Sequence, residues 1–318
     1  MERRAFLSAL AAGTAGALVS SSPALAALSG RAPLLGAAGA PALGGAGRTA
    51  RNIKKAVKIG MVKDELATTL RDKFMLLAEL GFDGVELDSP GGASAEEVAE
   101  AKAASGLEVP GVVNAVHWGK PFSHPDAAVR AEGLAAMETA LRDAKAYGAS
   151  SVLLVPAVVN KQVSYAEAWD RSITEIRKLV PLAEELEIDI AFENVWNNFL
   201  LSPLEAARYV DAFESERVGF YFDVGNIVLY GWPEQWVKIL GHRIKKLDIK
   251  EYSRGKLDNE GRWAGFAVEL LEGDCDWPAV MAALDGIGYT GWGTAEIPGG
   301  DRERLADIAE RMDRIFAS

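Results

Sequence analysis

Apolar positions along this chain follow two rhythms in alternation: short continuous apolar runs of strand length, and longer stretches with apolar residues at helical spacing. From Val57 onward the two take turns. Val57 to Val62 predicts a first strand, and Leu70, Phe74, Leu77 and Leu80 predict a helix over 68–80 that Gly81 ends. Gly84 to Asp88 reads as a second strand, and SAEE at 94–97 has capping-box spacing and opens a helix to about Ser105. A third strand is expected over 108–116, then a long helix over 126–147 stopped by Gly148. Strand four spans 151–156, and the next helix, 165–186, contains Pro181 and is expected to kink there. Strands five and six are Ile188 to Asn194 and Val218 to Asn226, separated by a helix that starts near Pro203. A short helix from Pro233, a strand over 244–249, a helix over 276–284, a strand over 291–295 and a closing amphipathic helix over 302–316 complete the chain. Eight consecutive βα units over residues 57–318 predict an α/β fold, a single (β/α)8 barrel. An open doubly wound sheet is the alternative, disfavoured by eight units with no break in spacing.

Residues 1–26 do not share this pattern. Arg3 and Arg4 precede Phe6 and Leu7, an uncharged run rich in Ala, Leu and Gly follows, and ALA at 24–26 has the form of a cleavage site. The segment resembles a twin-arginine export signal, with Glu2 and Ser8 as departures from it. The expectation is a signal peptide over 1–26 and a periplasmic protein with no stable membrane insertion after cleavage. Residues 27–56, rich in Ala, Gly and Pro without periodicity, are expected to be a disordered linker, and 57–318 the barrel.

Composition narrows the chemistry. Net charge is −11, and outside the first 26 residues there are 32 basic against 44 acidic side chains, unsuited to holding nucleic-acid phosphates. Cys275 is the single cysteine and there are three histidines, so thiolate and histidine-rich metal centres are disfavoured.

Three apolar strands end on an acid: Glu193, Asp223 and Glu296. An unpaired carboxylate is costly within a strand, whereas the carboxyl end of a barrel strand opens on the site where ligands bind. The same ends carry Glu86 and Asp88, His117 and Trp118, Asn194, Asn226, Asp248, Lys250 and Glu251. Four acids crowded in one mouth, Glu193, Asp223, Asp248 and Glu296, call for compensation. A divalent cation is the simplest, and oxygen donors favour Mn²⁺ or Mg²⁺ over zinc.

The order of these pieces resembles the xylose isomerase-like barrels, a superfamily of sugar isomerases and epimerases. The pieces are GFDGVE at 81–86, FEN at 192–194, FDVGN at 222–226, LEGDCDW at 271–277 and GYTGWGTAE at 288–296. The resemblance implies a metal held by Glu193, Asp223, Glu296 and the strand-seven position. There the family's usual His-x-Lys-Asp stands as Asp248-Ile249-Lys250-Glu251, which puts the metal's identity in question. It also implies that Glu193 and Glu296 carry protons on the two faces of a ketose, through an enediolate. Asn226 stands where epimerase-type relatives often have a His.

His117, Trp118, Asn194, Asn226, Lys250, Arg254 and Glu86 are the expected substrate contacts, with Trp196, Trp232 and Trp263 as further aromatic faces. The leading expectation is a metal-dependent isomerase or epimerase of a sugar or glycoside. Alternatives are a lyase or hydratase on 3-keto-glycosides sharing the first step, and a non-catalytic sugar-binding barrel. Homo-oligomerisation stays open.

Overall fold

A computed structural model describes residues 51–318. The expected signal and most of the expected linker lie outside the described residues. Eight parallel strands close in chain order: β1 Ile53–Lys58, β2 Gly84–Ser89, β3 Gly111–Asn114, β4 Ser151–Leu154, β5 Asp189–Glu193, β6 Val218–Asp223, β7 Ile244–Ile249 and β8 Gly291–Ala295. The barrel closes between β1 and β8, with Ala56 opposite Thr294.

Helices wrap the outside: α1 Leu70–Glu79, α2 Ala95–Ser105, α3 Ala127–Tyr147, α4 Tyr165–Ile176, α5 Val180–Leu186 and α6 Pro203–Asp211. After β6 come α7 Val224–Val228 and α8 Pro233–Leu240, after β7 come α9 Arg254–Glu260 and α10 Trp277–Gly286, and α11 Arg302–Ala317 closes the chain. Their starts follow the sequence chemistry. Thr69 with Asp72, Ser94 with Glu97, and Ser164 with Glu167 form capping boxes that satisfy the first free amides of α1, α2 and α4.

Several expected boundaries move: the third strand shortens to Gly111–Asn114, and the last three residues of the expected sixth strand, 224–226, open α7 instead. β1 begins at Ile53, inside the segment assigned to the linker, and the chain leaves the sheet at Lys58 for a 3-10 turn over Ile59–Met61. Three lysines in six residues broke the apolar run there, while Gly60 to Val62 imitated one. The helix expected over 165–186 is two, because Pro181 lies in the first turn of α5, where a missing amide costs nothing.

The main core lies between strands and helices, and includes Phe74, Ile190, Phe192, Phe220, Phe222, Leu247 and Trp277. Successive residues of a strand face opposite sides of the sheet. The opposite set, facing the barrel axis, forms a small separate cluster of Leu153, Ala191 and Tyr221 with Val113 against it. The rest of the interior is ionic. Buried Lys246 approaches Glu86, which accepts a 2.5 Å bond from the Tyr221 hydroxyl.

Candidate active site

The alternation that puts Ala191 and Tyr221 on the axis puts the residues two positions later, Glu193 and Asp223, there as well, at the carboxyl rim. Asp223 and Asp248 are register partners on β6 and β7, and Asp248 faces Thr294 on β8, two residues before Glu296. The four acids meet as a result: one oxygen of each of Glu193, Asp223, Asp248 and Glu296 lies within 4.8 Å of the others.

Two lysines enter the cluster. Lys250 Nζ lies 2.8 Å from Asp223 Oδ2 and 3.1 Å from Glu296 Oε2. Lys58 Nζ lies 2.9 Å from both Asp248 Oδ1 and Glu86 Oε2, and sits over the Tyr221 ring. Lys58 was not among the expected site residues, since an expected strand over 57–62 places it at a strand start instead of a strand end.

Burial, with the charge of Glu296 beside it, pushes Glu193 well above the usual carboxylate range. Burial also raises Asp223, to about 6, although Lys250 opposes the shift. Asp248 is pushed up strongly by burial against the pull of Lys58. Burial would raise Glu296 too, but Lys250 and Lys58 outweigh it and hold the group at about 2. Low local dielectric penalises each additional negative charge, and for Glu296 the combined pull of Lys250 and Lys58 outweighs that penalty.

Above the cluster is a cavity of about 740 Å³. Glu193, Glu296, Lys58 and Lys250 line it, whereas Asp223 and Asp248 are wholly buried and do not. Asp88, His117, Trp118, Trp196, Asn226 and Trp263 form much of its wall. His117 Nδ1 accepts the Val155 amide at 3.3 Å, so the proton of the neutral ring is on Nε2. Burial holds the imidazole neutral by lowering its pKa to about 4.

Of the expected substrate contacts, His117, Trp118, Asn226 and Lys250 line the cavity. Asn226 is engaged on both sides of its amide: Oδ1 accepts Trp196 Nε1–H at 2.8 Å, and Nδ2 donates to Asn194 O at 3.0 Å. Arg254 does not line the cavity. Its guanidinium donates to Val228 O and Gly231 O and packs over Trp232, because those carbonyls at the end of α7 need donors. Asn194 does not line the cavity either. Its Nδ2 donates to Asp223 O and its Oδ1 accepts Asp223 N–H, a two-way clamp between β5 and β6 that fixes Asp223. Nor does Glu86 line it; that carboxylate is held by Lys58 and Tyr221 and braces Lys58.

Glu251 is structural. It accepts the amides of Leu271 and Cys275 and the indole N–H of Trp277, at 2.9, 3.0 and 2.9 Å, and so folds the segment after β7 back onto its strand. A Cβ at Gly273 would meet Glu251 Cγ at 2.6 Å, so only glycine fits that approach. This accounts for the LEGDCDW stretch without a direct role in chemistry.

The donors suit a divalent cation. All four are carboxylates, three of them buried, and Asp223 Oδ2, Asp248 Oδ1 and Glu296 Oε2 are engaged by the Lys250 and Lys58 ammonium groups. With every acid ionised, Glu86 and the four clustered acids against Lys58, Lys246 and Lys250 would leave two negative charges, which one divalent ion would balance. Hard oxygen ligands fit Mg²⁺ or Mn²⁺.

Known proteins share this architecture. The L-ribulose-5-phosphate 3-epimerase UlaE of Salmonella paratyphi C is 26% identical over 268 residues, covering 77% of this chain and 88% of its own. An inosose dehydratase of Geobacillus thermodenitrificans is 25% identical over 153 residues, 44% of this chain and 51% of that one. Among solved structures, a D-tagatose 3-epimerase-like protein superposes with a TM-score of 0.69 at 20% identity, covering 83% of this chain and 97% of its own. The 3-keto-D-glucoside 4-epimerase of E. coli gives 0.69 at 16%, covering 84% and 100%. The IOLI protein, solved with a bound zinc atom, gives 0.69 at 18%, covering 83% and 98%. The family model described as the xylose isomerase-like TIM barrel matches residues 74–316, from α1 into α11, and the chain belongs to that family.

Proposed function

We propose that this protein epimerises or isomerises a keto-sugar by moving a proton on the carbon next to the carbonyl. The observation that carries the reading is the division within the acid cluster: Glu193 and Glu296 reach the cavity, while Asp223 and Asp248 lie sealed behind them. Glu193 ends β5 and Glu296 follows β8, three strands apart around a ring of eight, so each approaches a bound sugar from its own side. One carboxylate removes the proton and the other returns it. The neutral His117 offers Nε2–H to a substrate oxygen, and Lys250 keeps Glu296 ionised and in place. A divalent ion on Glu193, Asp223, Asp248 and Glu296 would polarise the carbonyl and steady the negative charge that develops on its oxygen. The sugar epimerases among the relatives support this reading.

A second reading shares the proton removal and continues with loss of a neighbouring oxygen substituent, a lyase or hydratase reaction. The inosose dehydratase among the relatives favours it.

Deuterium wash-in from D₂O into ketoses and 3-keto-glycosides tests the shared step, and the products separate the two readings. Glu193→Gln and Glu296→Gln should each lower exchange by at least ~10², the range for a lost acid–base group, with melting transitions close to wild type. Exchange at the wild-type rate in both variants would overturn the reading.

A further inference from the structure

The cavity carries more aromatic surface than proton transfer at its floor requires. Trp118 follows β3, Trp196 follows β5 and Trp263 lies beyond α9, so three separate loops send an indole to one space. Trp196 and Trp263 stack with centroids 4.2 Å apart and planes 16° from parallel. Phe266 packs on Trp196 at 4.3 Å, and the Trp196 indole N–H is held by Asn226 Oδ1. Trp263 is therefore fixed from one side while it remains 71% exposed, and Trp118, edge-on to His117, is 50% exposed. Rigid aromatic faces left open at a cavity rim are the usual anchors of a flat-faced ligand.

Size and charge point the same way. At about 740 Å³ the cavity falls in the upper part of the roughly 300–1,000 Å³ range that encloses drug-sized ligands, beyond the needs of one sugar ring. Its lining cations are Lys58 and Lys250, and each is paired with two carboxylates at 3.1 Å or less. Arg262 lies outside the lining, its guanidinium over the Trp196 ring. The interior thus offers a phosphate no uncommitted ammonium group.

We infer that the cavity contains a second subsite, walled by Trp263, Trp196 and Trp118, and that the ligand is an unphosphorylated two-ring glycoside. The reacting ring lies over Glu193 and Glu296, and the second ring, sugar or aryl, stacks on the open face of Trp263. The inference rests on the proposed sugar reaction for the placement of the first ring. Stacking is the chemistry shared by a sugar's C–H face and an aryl ring, so both kinds of second ring must be tried.

The test is calorimetric titration of the full chain in Mn²⁺ with four probes: methyl β-D-glucopyranoside, cellobiose, p-nitrophenyl β-D-glucopyranoside and fructose 6-phosphate. At least one two-ring probe should bind about tenfold or more tighter than the methyl glycoside, consistent with one added aromatic contact. Cellobiose against the nitrophenyl glycoside tells a sugar from an aryl second ring. Trp263→Ala should bring the two-ring to one-ring affinity ratio close to one, and Trp263→Phe should keep most of it. Equal affinity for one-ring and two-ring probes overturns the inference, as does tightest binding of the phosphate. So does a Trp263→Ala variant that keeps the ratio and only dissociates an oligomer, which would make this face a contact between copies. Deuterium wash-in with fructose and with a two-ring 3-keto-glycoside on the same samples separates the two claims. Exchange without a two-ring preference removes the subsite alone, and a two-ring preference without any exchange removes the sugar reaction alone. Neither binding nor exchange removes both.

Discussion

Lys58 and Asp248 form an ion pair of 2.9 Å that joins the end of β1 to the end of β7 from the two sides of β8. The same ammonium group holds Glu86 at 2.9 Å, and both acids are without solvent exposure in their side chains. Burial works to lower the lysine's pKa, but Asp248 and Glu86 outweigh it and raise the value well above normal.

Removing such a lysine strands buried Asp248 and leaves Glu86 only the more distant Lys246 and the Tyr221 hydroxyl. Lys58→Met should therefore destabilise the barrel by about 3–5 kcal/mol, the range for breaking a buried pair on one side. Adding Glu86→Gln should recover part of the loss by removing one poorly compensated charge. Urea unfolding of the three proteins measures this; an unchanged midpoint in Lys58→Met would show that the acids are neutralised by other means.

Lys58 also marks how far the sequence could be read. The strand ends at Glu193, Asp223 and Glu296 were legible because a carboxylate terminates an apolar run in each, and alternation then fixes which side of the sheet it faces. Lys58 was hidden because β1 is itself lysine-rich, with Lys54 and Lys55 disguising a strand whose inward positions are Ala56 and Lys58. Asn194 and Arg254 were hard to read for another reason. A polar residue near a strand end can serve substrate or backbone equally, and only the positions of Asp223 O and Val228 O decide. The function of Glu251 depended on a contact twenty or more residues along the chain, which spacing does not reveal.

His117 predicts a pH dependence of stability. Its folded pKa of about 4 lies below the ordinary 6.5, mainly from burial, with Glu296 opposing and Lys58 adding to the shift. The unfolded chain thus binds the proton more readily. The resulting stability is complete above about 6.5 and is lost as pH falls toward 4, amounting to about 3 kcal/mol. His117→Asn keeps an acceptor for the Val155 amide and cannot titrate. Between pH 7 and pH 4 the wild type should lose about 3 kcal/mol more unfolding free energy than this variant. Parallel pH profiles for the two would remove His117 as the cause.

The N-terminal segment predicts transport. We propose that Arg3 and Arg4, ahead of Phe6 and Leu7 and an uncharged run, direct export, with the mature chain starting near Ala27. Replacing both arginines by lysine preserves charge but removes the paired guanidinium groups. The double variant should stay in the cytoplasm as uncleaved precursor, read by fractionation and N-terminal sequencing. Normal secretion of that variant would exclude the twin-arginine route.

Asn194 predicts how the acid cluster is held for a metal. Its amide donates to Asp223 O at 2.8 Å and accepts Asp223 N–H at 2.9 Å, so the backbone of Asp223 is clamped on both polar atoms. The side chain of Asp223 is fixed in turn by the Asn226 amide, which donates to Oδ1 at 2.9 Å, leaving Oδ2 directed at the cluster. Asp223→Ala removes an oxygen ligand and should abolish tight Mn²⁺ binding. Asn194→Ala keeps every carboxylate yet frees the strand end that aims one of them, and groups that orient a ligand typically contribute about 10–100-fold to metal affinity. Calorimetric titration with Mn²⁺ should therefore rank wild type above Asn194→Ala by that factor, and Asn194→Ala above Asp223→Ala. Circular dichroism melts on the same samples separate a displaced ligand from an unfolded barrel. Full Mn²⁺ affinity in a folded Asp223→Ala protein would place the ion away from this cluster, and full affinity in Asn194→Ala would show that Asp223 is aimed without the clamp.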